Sequence, residues 1–216
     1  IDLKQWCGWT KKPWDKTCAV VGRSFRMRGP HQSVYTMAAT AVMRLIERYQ
    51  IDPSRVGFLG FGTESSTDNS AGAVIIKGML DEALREKGLQ PLNRNCEVPE
   101  VKHACLGGIY ALKHGLRYLA LEEEDSCAIV VSADIAEYAR GSSGEPTQGA
   151  GAVAMLLEQK PKMLAVELKH IGSASAYRAV DFRKPVLRNI IRGTLNCHFQ
   201  DLPVFNGKYS ITCYLD

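Results

Sequence analysis

Two apolar runs, residues 56–62 and 127–132, constrain the fold more than any other feature of the chain. Each is short, bounded by turn-forming residues and free of polar alternation, which reads as a strand buried on both faces. The first carries Val56, Phe58, Leu59 and Phe61, and the second carries Ala128, Ile129, Val130 and Val131. Such a strand needs covering layers above and below, and helical spacing surrounds both runs. Residues 34–49 repeat apolar side chains at helical intervals (Val34, Ala38, Ala41, Leu45) and end in Glu47 and Arg48. Asp52, Pro53 and Ser54 then break the helix. Residues 70–86 predict a second helix, stopped by Gly88. Ile109, Leu112, Leu116 and Leu119 mark a third, running into Glu122-Glu123-Glu124-Asp125, a solvated helix end and turn.

Residues 150–157 and 163–170 read as two further strands joined by a turn near Pro161, and residues 141–149 as a loop. This order predicts a layered α/β domain with helices on both sheet faces, spanning residues 1–171. The opening segment, with Trp6, Trp9 and Trp14, has no clear period and reads as helix ends and loop. Residues 172–216 lose periodicity and read as an irregular excursion rather than a second core.

Composition narrows the function. The hydrophobic share of 45% against 23% charged residues is that of an ordinary soluble globular protein. The net charge of +4 is scattered, so it suits an anionic small molecule or an acidic carrier protein and not nucleic acid. No apolar run reaches the length that a membrane span needs. The seven cysteines (7, 18, 96, 105, 127, 197 and 213) are odd in number, widely spaced and without a C-x-x-C pair. That pattern predicts reduced thiols in a cytoplasmic compartment rather than a disulfide framework or a metal site. The chain opens at Ile1 without a charged-then-apolar leader, which reads as a sequence trimmed at its front or part of something longer.

Cys105 is the strongest candidate for chemistry. The stretch from Glu97 to Lys102 is extended, breaks at Cys105 and is followed at once by the helical pattern of Ile109–Leu119. A thiol at a helix start sits beside N–H groups that lack intrahelical partners and at the positive end of the helix dipole. Those groups favour a thiolate and can hold an oxyanion, as acyl transfer requires. Gly107 and Gly108 leave room for a close neighbour. A buried structural cysteine at a tightly packed helix start is the competing account. Glu64 and Asp134 fall at or just past the ends of the two buried strands, the edge where open α/β sheets hold ligands, so a thiol and a carboxylate there form a nucleophile and acid/base pair. Glu64 and Asp68 equally suit the capping of the helix at 70, and Asp134 equally suits a structural acid bonded to the adjoining loop. His103 invites a Cys–His dyad, although dyad partners come mostly from elsewhere in a fold.

Six blocks in sequence resemble one family. They are Gly62-Thr63-Glu64-Ser65-Ser66-Thr67-Asp68, Ala104-Cys105-Leu106-Gly107-Gly108, Ala133-Asp134-Ile135-Ala136-Glu137-Tyr138-Ala139 and Pro146-Thr147-Gln148-Gly149-Ala150-Gly151-Ala152. Asp181-Phe182-Arg183-Lys184-Pro185 and the closing stretch from Asn206 to Leu215 complete the series. Together they resemble hydroxymethylglutaryl-CoA synthase, of the thiolase and ketosynthase-III superfamily. The resemblance implies a thiolase-like layered αβαβα sandwich, of which this chain supplies mainly the N-terminal half, and a homodimer of complete protomers. It implies no cofactor, with acetyl-CoA and acetoacetyl-CoA as substrates and a place in the mevalonate route to isoprenoids. Cys105 would be the acetylated nucleophile and Glu64 the general base and acid, with Thr147, Tyr138, Asp134, Asp181 and Asp68 around the substrate.

The same resemblance leaves two alternatives. One is a β-branching synthase acting on acetoacetyl groups bound to an acyl carrier protein. The other is a non-catalytic partner subunit of a thiolase-type complex. The chain departs from the family at Leu106, where Tyr is common, and at Gln148, where Gly is usual. The family's carbonyl-polarising histidine lies past the last block, so a C-terminal half or a second chain is expected to supply it.

Overall fold

The computed structural model describes residues 1–122, 125–140 and 144–175. Four strands form one sheet: β1 (Val56–Gly62), β2 (Glu100–Val101), β3 (Cys127–Ala136) and β4 (Gly149–Leu157), in the order β2-β1-β3-β4. β1 runs parallel to both β2 and β3. The described residues also form five helices: α1 (Leu3–Thr10), α2 (Trp14–Val20), α3 (Val34–Tyr49), α4 (Gly72–Glu86) and α5 (Gly107–Leu119).

All seven residues of β1 are buried, as its continuous apolar run requires. The alternation of a strand then assigns side chains to the two faces. Leu59 and Phe61 of β1, with Ile129 and Val131 of β3, pack against Ala38, Val42 and Ile46 of α3 and Ile76, Leu80 and Leu84 of α4. Phe58, Ala128 and Val130 point the other way, where Ala111 and Leu119 of α5 meet them with Leu157 of β4. A register irregularity between Val56 and Phe58 returns Val56 to the α3/α4 side. Leu59 and Ile129 have no exposed surface. Truncating either to Ala removes contacts on a face that cannot collapse easily, at a cost of about 2–5 kcal/mol.

Helix ends follow from local chemistry. Ser33 and Thr36 form a capping box at the start of α3, with Thr36 N–H donating to Ser33 Oγ at 3.2 Å and Ser33 N–H donating to Thr36 Oγ1 at 2.8 Å. Gln50 leaves α3 in the left-handed region at φ 50°. Gly88, at φ 72°, follows the last turn of α4 and takes the backbone where only glycine goes freely.

The chain falls into two compact units. The larger comprises Arg26–Ile135 and Gly149–Ile171, and so holds α3, α4, α5 and the sheet apart from the last residue of β3. The smaller includes Ile1–Phe25 and Ala136–Gln148. The opening segment differs from the expected helix ends and loop, because it forms two short helices. Asp2 Oδ1 accepts from the N–H groups of Lys4 and Gln5 to start α1, and Pro13 precedes α2. Leu3, Trp6, Cys7 and Phe25 give this unit a small core of its own.

Three expectations are corrected. Residues 163–170 are not a strand: they pair with no strand among the described residues and end in a 3-10 turn at Leu168–His170, where the His170 N–H donates to Glu167 O at 3.2 Å. Their apolar side chains stand in solvent, Met163 at 95% and Leu164 at 74% exposure, because no neighbouring strand among the described residues lies beside them. Ile109 is exposed on α5, whose buried line is instead Gly107, Ala111, Gly115 and Leu119. Asp134 lies within β3 rather than past it, since that strand continues to Ala136. The family blocks from Asp181 onward lie outside the described residues.

Candidate active site

Parallel strands deliver the two main candidates to one edge of the sheet. β1 ends at Gly62 and leads into Glu64, while its neighbour β2 ends at Val101 and leads into Cys105. The strand ends are locked against the start of α5. A Cβ built on Gly62 would run into Gly107 and into the backbone of Gly108, and one on Gly107 would lie 2.7 Å from Val101 O. Only glycines allow β1 to touch the first turn of α5, so these residues fix how closely the two segments approach. Thr63 N–H donates to Val101 O at 3.3 Å, which carries the β1–β2 pairing one residue past the strand.

Cys105 is exposed and free, whereas Cys7, Cys96 and Cys127 are buried. Burial pushes the Cys96 thiol up to about 12 and the Cys127 thiol up to about 11, so both stay protonated at neutral pH. The Cys105 turn is built by backbone alone. Leu106 N–H donates to His103 O at 3.0 Å, Gly107 N–H donates to Ala104 O at 3.2 Å, and Ala104 is held at φ 42°. The alanine directly before the thiol is left-handed, at a cost of about 1–2 kcal/mol for the backbone, and the Cys105 that follows it is exposed. Leu106 caps α5 without a side-chain hydrogen bond, so the N–H groups of its first turn receive none from the cap. The His103 ring packs against Tyr110 at a tilt of 44°, with centroids 5.0 Å apart.

The loop that carries Glu64 is held differently. Asp134 Oδ1 accepts three hydrogen bonds from it: Thr63 Oγ1 at 3.0 Å, the Glu64 N–H at 2.8 Å and Ser65 Oγ at 2.8 Å. Ser65 Oγ in turn accepts the Ile135 N–H at 2.9 Å. Asp134 therefore grips the backbone of Glu64 itself, which favours its account as a structural acid for the adjoining loop. Asp68 Oδ1 accepts the Ala71 N–H at 3.1 Å, just ahead of α4, in keeping with the capping account. Burial, and then Asp68 close to its hydroxyl, raise the Tyr35 pKa above the ordinary phenol value.

Tyr138 and Thr147 belong to the smaller unit. There Thr147 Oγ1 donates to Gly144 O at 2.7 Å, and Tyr138 N–H donates to Gln148 Oε1 at 3.2 Å, so the Gln148 side chain ties the two blocks together. Asp181 lies outside the described residues. Among the described residues no group of His, Cys, Asp and Glu is placed to hold a metal ion, and no helix is long and apolar enough to cross a membrane.

Sequence reasoning missed Glu100 and Ser66. Glu100 Oε1 accepts the Ser66 hydroxyl, and Glu100 Oε2 accepts the Gly72 N–H at 2.6 Å. No local signal marked the pair, because only the pairing of β2 with β1 brings Glu100 to Ser66, 34 residues away in sequence.

The family described as hydroxymethylglutaryl-coenzyme A synthase N terminal matches residues 19–162. A hydroxymethylglutaryl-CoA synthase of Gibberella zeae is 33% identical over 85% of this chain and 35% of its own length. One from Enterococcus faecalis is 38% identical over 63% of this chain and 32% of its own. The solved structure of MvaS in complex with 3-hydroxy-3-methylglutaryl coenzyme A superposes with a TM-score of 0.73 at 32% identity, covering 86% of this chain and 43% of that one. The Curacin-pathway HMG synthase in complex with holo donor-ACP shares the fold, with a TM-score of 0.61 at 23% identity, covering 72% and 37%. The chain thus spans about a third of the length of these curated relatives.

Proposed function

The chain belongs to the hydroxymethylglutaryl-coenzyme A synthase family, of which it carries the N-terminal part, and we propose that it supplies the nucleophile and the base for condensing acetyl-CoA with acetoacetyl-CoA. The observation that carries the proposal is the delivery of Cys105 and Glu64 from adjacent parallel strands to one sheet edge, locked by the contact of Gly62 with Gly107 and Gly108.

The Cys105 thiolate attacks the thioester carbonyl of acetyl-CoA, the coenzyme A thiolate leaves, and an acetyl thioester forms on Cys105. Nucleophile and leaving group are both thiolates, so the exchange is close to balanced. N–H groups in the first turn of α5 past Gly107, whose own N–H is held by Ala104 O, are the donors proposed for the carbonyl oxygen as it gains charge. The Glu64 carboxylate then takes a proton from the acetyl methyl. The resulting carbanion forms the new carbon–carbon bond to the ketone carbon of acetoacetyl-CoA, whose oxygen takes the proton held by Glu64 and becomes a hydroxyl. Water cleaves the Cys105 thioester and releases 3-hydroxy-3-methylglutaryl-CoA. A thioester acidifies its α-carbon only modestly, which is why the carboxylate must be aimed and the oxyanion held.

The group that polarises the acceptor ketone would come from sequence beyond this chain, on a C-terminal half or a second polypeptide. A reduced cytoplasmic setting and a homodimer of complete protomers complete the proposal. The acceptor arrives on coenzyme A; a carrier-bound acceptor would use the same two residues, and direct competition between the two forms distinguishes them.

The test is incubation of the full-length protein with radiolabelled acetyl-CoA, followed by peptide mapping. Label is expected on the Cys105 peptide, and Cys105→Ser is expected to lose acetyl transfer by several orders of magnitude, because a hydroxyl has a far higher pKa than a thiol. Label on another residue, or transfer by Cys105→Ser at near-parental rate, would contradict the assignment.

A further inference from the structure

The stretch that delivers the nucleophile also grips the loop that delivers the base. Asp134 holds the first part of that loop, from Thr63 to Ser65. The next residue, Ser66, is held from the opposite side at both of its polar ends. Its hydroxyl donates to Glu100 Oε1, and its carbonyl accepts from Lys102 Nζ. Ser66 is only 3% exposed, so neither group has water as a substitute.

The second oxygen of Glu100 accepts the Gly72 N–H at 2.6 Å. Gly72 opens α4, and the N-cap Ala71 offers no side-chain acceptor. Glu100 therefore does from a neighbouring strand what an N-cap side chain would do, and places negative charge at the positive end of α4. A Cβ on Gly72 would lie 2.6 Å from Glu100 Oε2, which explains a glycine at that helix start. One carboxylate thus ties both the middle of the Glu64 loop and its far end to the strand that runs, five residues later, into Cys105.

We propose that Glu100 is a positioning residue for proton abstraction: it sets the Glu64 loop against the segment bearing Cys105. The proposal rests on Glu64 acting as the base. Glu100 touches no reacting atom. It removes the freedom of the loop between its anchor at Asp134 and the start of α4, and a displacement on the order of 1 Å in the carboxylate costs about 10²-fold in rate.

The experiment uses the full-length protein containing this chain, with Glu100→Ala, Glu100→Gln and Ser66→Ala. Two rates are read on each variant: acetylation of Cys105 by acetyl-CoA, and exchange of the acetyl methyl hydrogens with deuterated water. Glu100→Ala is expected to acetylate within about threefold of the parent and to exchange about 10–100-fold more slowly. Glu100→Gln is expected to recover most of the exchange, because its amide oxygen can accept from Gly72 while its NH₂ donates to the Ser66 hydroxyl. Ser66→Ala is expected to fall between the two and decides the matter if Glu100→Ala does not fold. Exchange within twofold of the parent in both Glu100→Ala and Ser66→Ala, or an equal fall in acetylation and exchange, would overturn the proposal. If the parent exchanges methyl hydrogens equally well without the Glu64 carboxylate, the base assignment fails first, and that outcome is read from Glu64→Ala alone.

Discussion

Between Thr63 and Gly72 side chains do the holding, whereas between His103 and Gly107 the backbone does. In the first segment Asp134 and Glu100 together accept five hydrogen bonds, and the buried hydroxyls of Thr63 and Ser66 supply two of them. In the second, two turn hydrogen bonds and a left-handed Ala104 shape the turn, and Cys105 is exposed. The difference fits the two proposed tasks. A base that takes a proton from carbon works against a weak acid and gains from a fixed aim. A nucleophile that must admit a bulky thioester and later water gains from being reachable. The same parallel strand pair, β1 and β2, supports both, so rigidity after β1 and access after β2 come from the segments that leave the strands at one sheet edge.

The largest effect that would break this contrast lies at Asp134. Asp134→Ala leaves Thr63 Oγ1, the Glu64 N–H and Ser65 Oγ without their common acceptor. The expected outcome is a loss of about 1–3 kcal/mol in stability by urea unfolding and a fall of about 10–100-fold in methyl-hydrogen exchange. Acetylation of Cys105 should change far less, because nothing in its turn depends on Asp134. Equal losses in both steps would mean that the two segments are one rigid unit.

A smaller effect sharpens the contrast among the cysteines. The Cys96 and Cys127 thiols are held up at about 12 and about 11 by burial, against an ordinary value near 9. In the unfolded chain they ionise above pH 9, while in the folded protein they keep their protons to about 11 and 12. Unfolding then releases protons, so the stability they contribute is fully present below pH 9 and is lost as pH rises towards 12. The urea midpoint is expected to fall between about pH 8 and about pH 11, and to fall less in Cys96→Ala measured against its own value at about pH 8. A pH-independent midpoint would show that these thiols are not buried in solution.

The legible part of this fold was the part whose physics is local or doubly repeated. Residues 56–62 read as a strand buried on both faces because every side chain must be covered, and β1 has that burial. Residues 34–49 read as a helix because its apolar spacing is strong, and the structure adds the Ser33–Thr36 capping box that opens it. Residues 163–170 misled because an apolar run specifies extended backbone without specifying a partner, and none lies beside it among the described residues. α1 and α2 were missed because their order comes from caps at Asp2 and Pro13 and from one small cluster rather than from a long period. At the site, Cys105 and Glu64 were legible as a thiol and a carboxylate at strand ends. Glu100 and Ser66 were not, since their partnership spans 34 residues and appears only when β2 is laid beside β1.

The central claim is that Cys105 and Glu64 carry separate steps from one sheet edge, and a single sample of Glu64→Ala in the full-length protein tests it most directly. Acetyl-CoA is added in deuterated water, and the Cys105 peptide is followed by mass spectrometry for both acetyl addition and deuterium in the acetyl methyl. The account predicts an acetylated Cys105 peptide whose methyl stays undeuterated, with exchange about 10²–10⁴-fold below the parent. Methyl deuteration at the parental rate, or no acetyl group on Cys105 in the correctly folded variant, would contradict it.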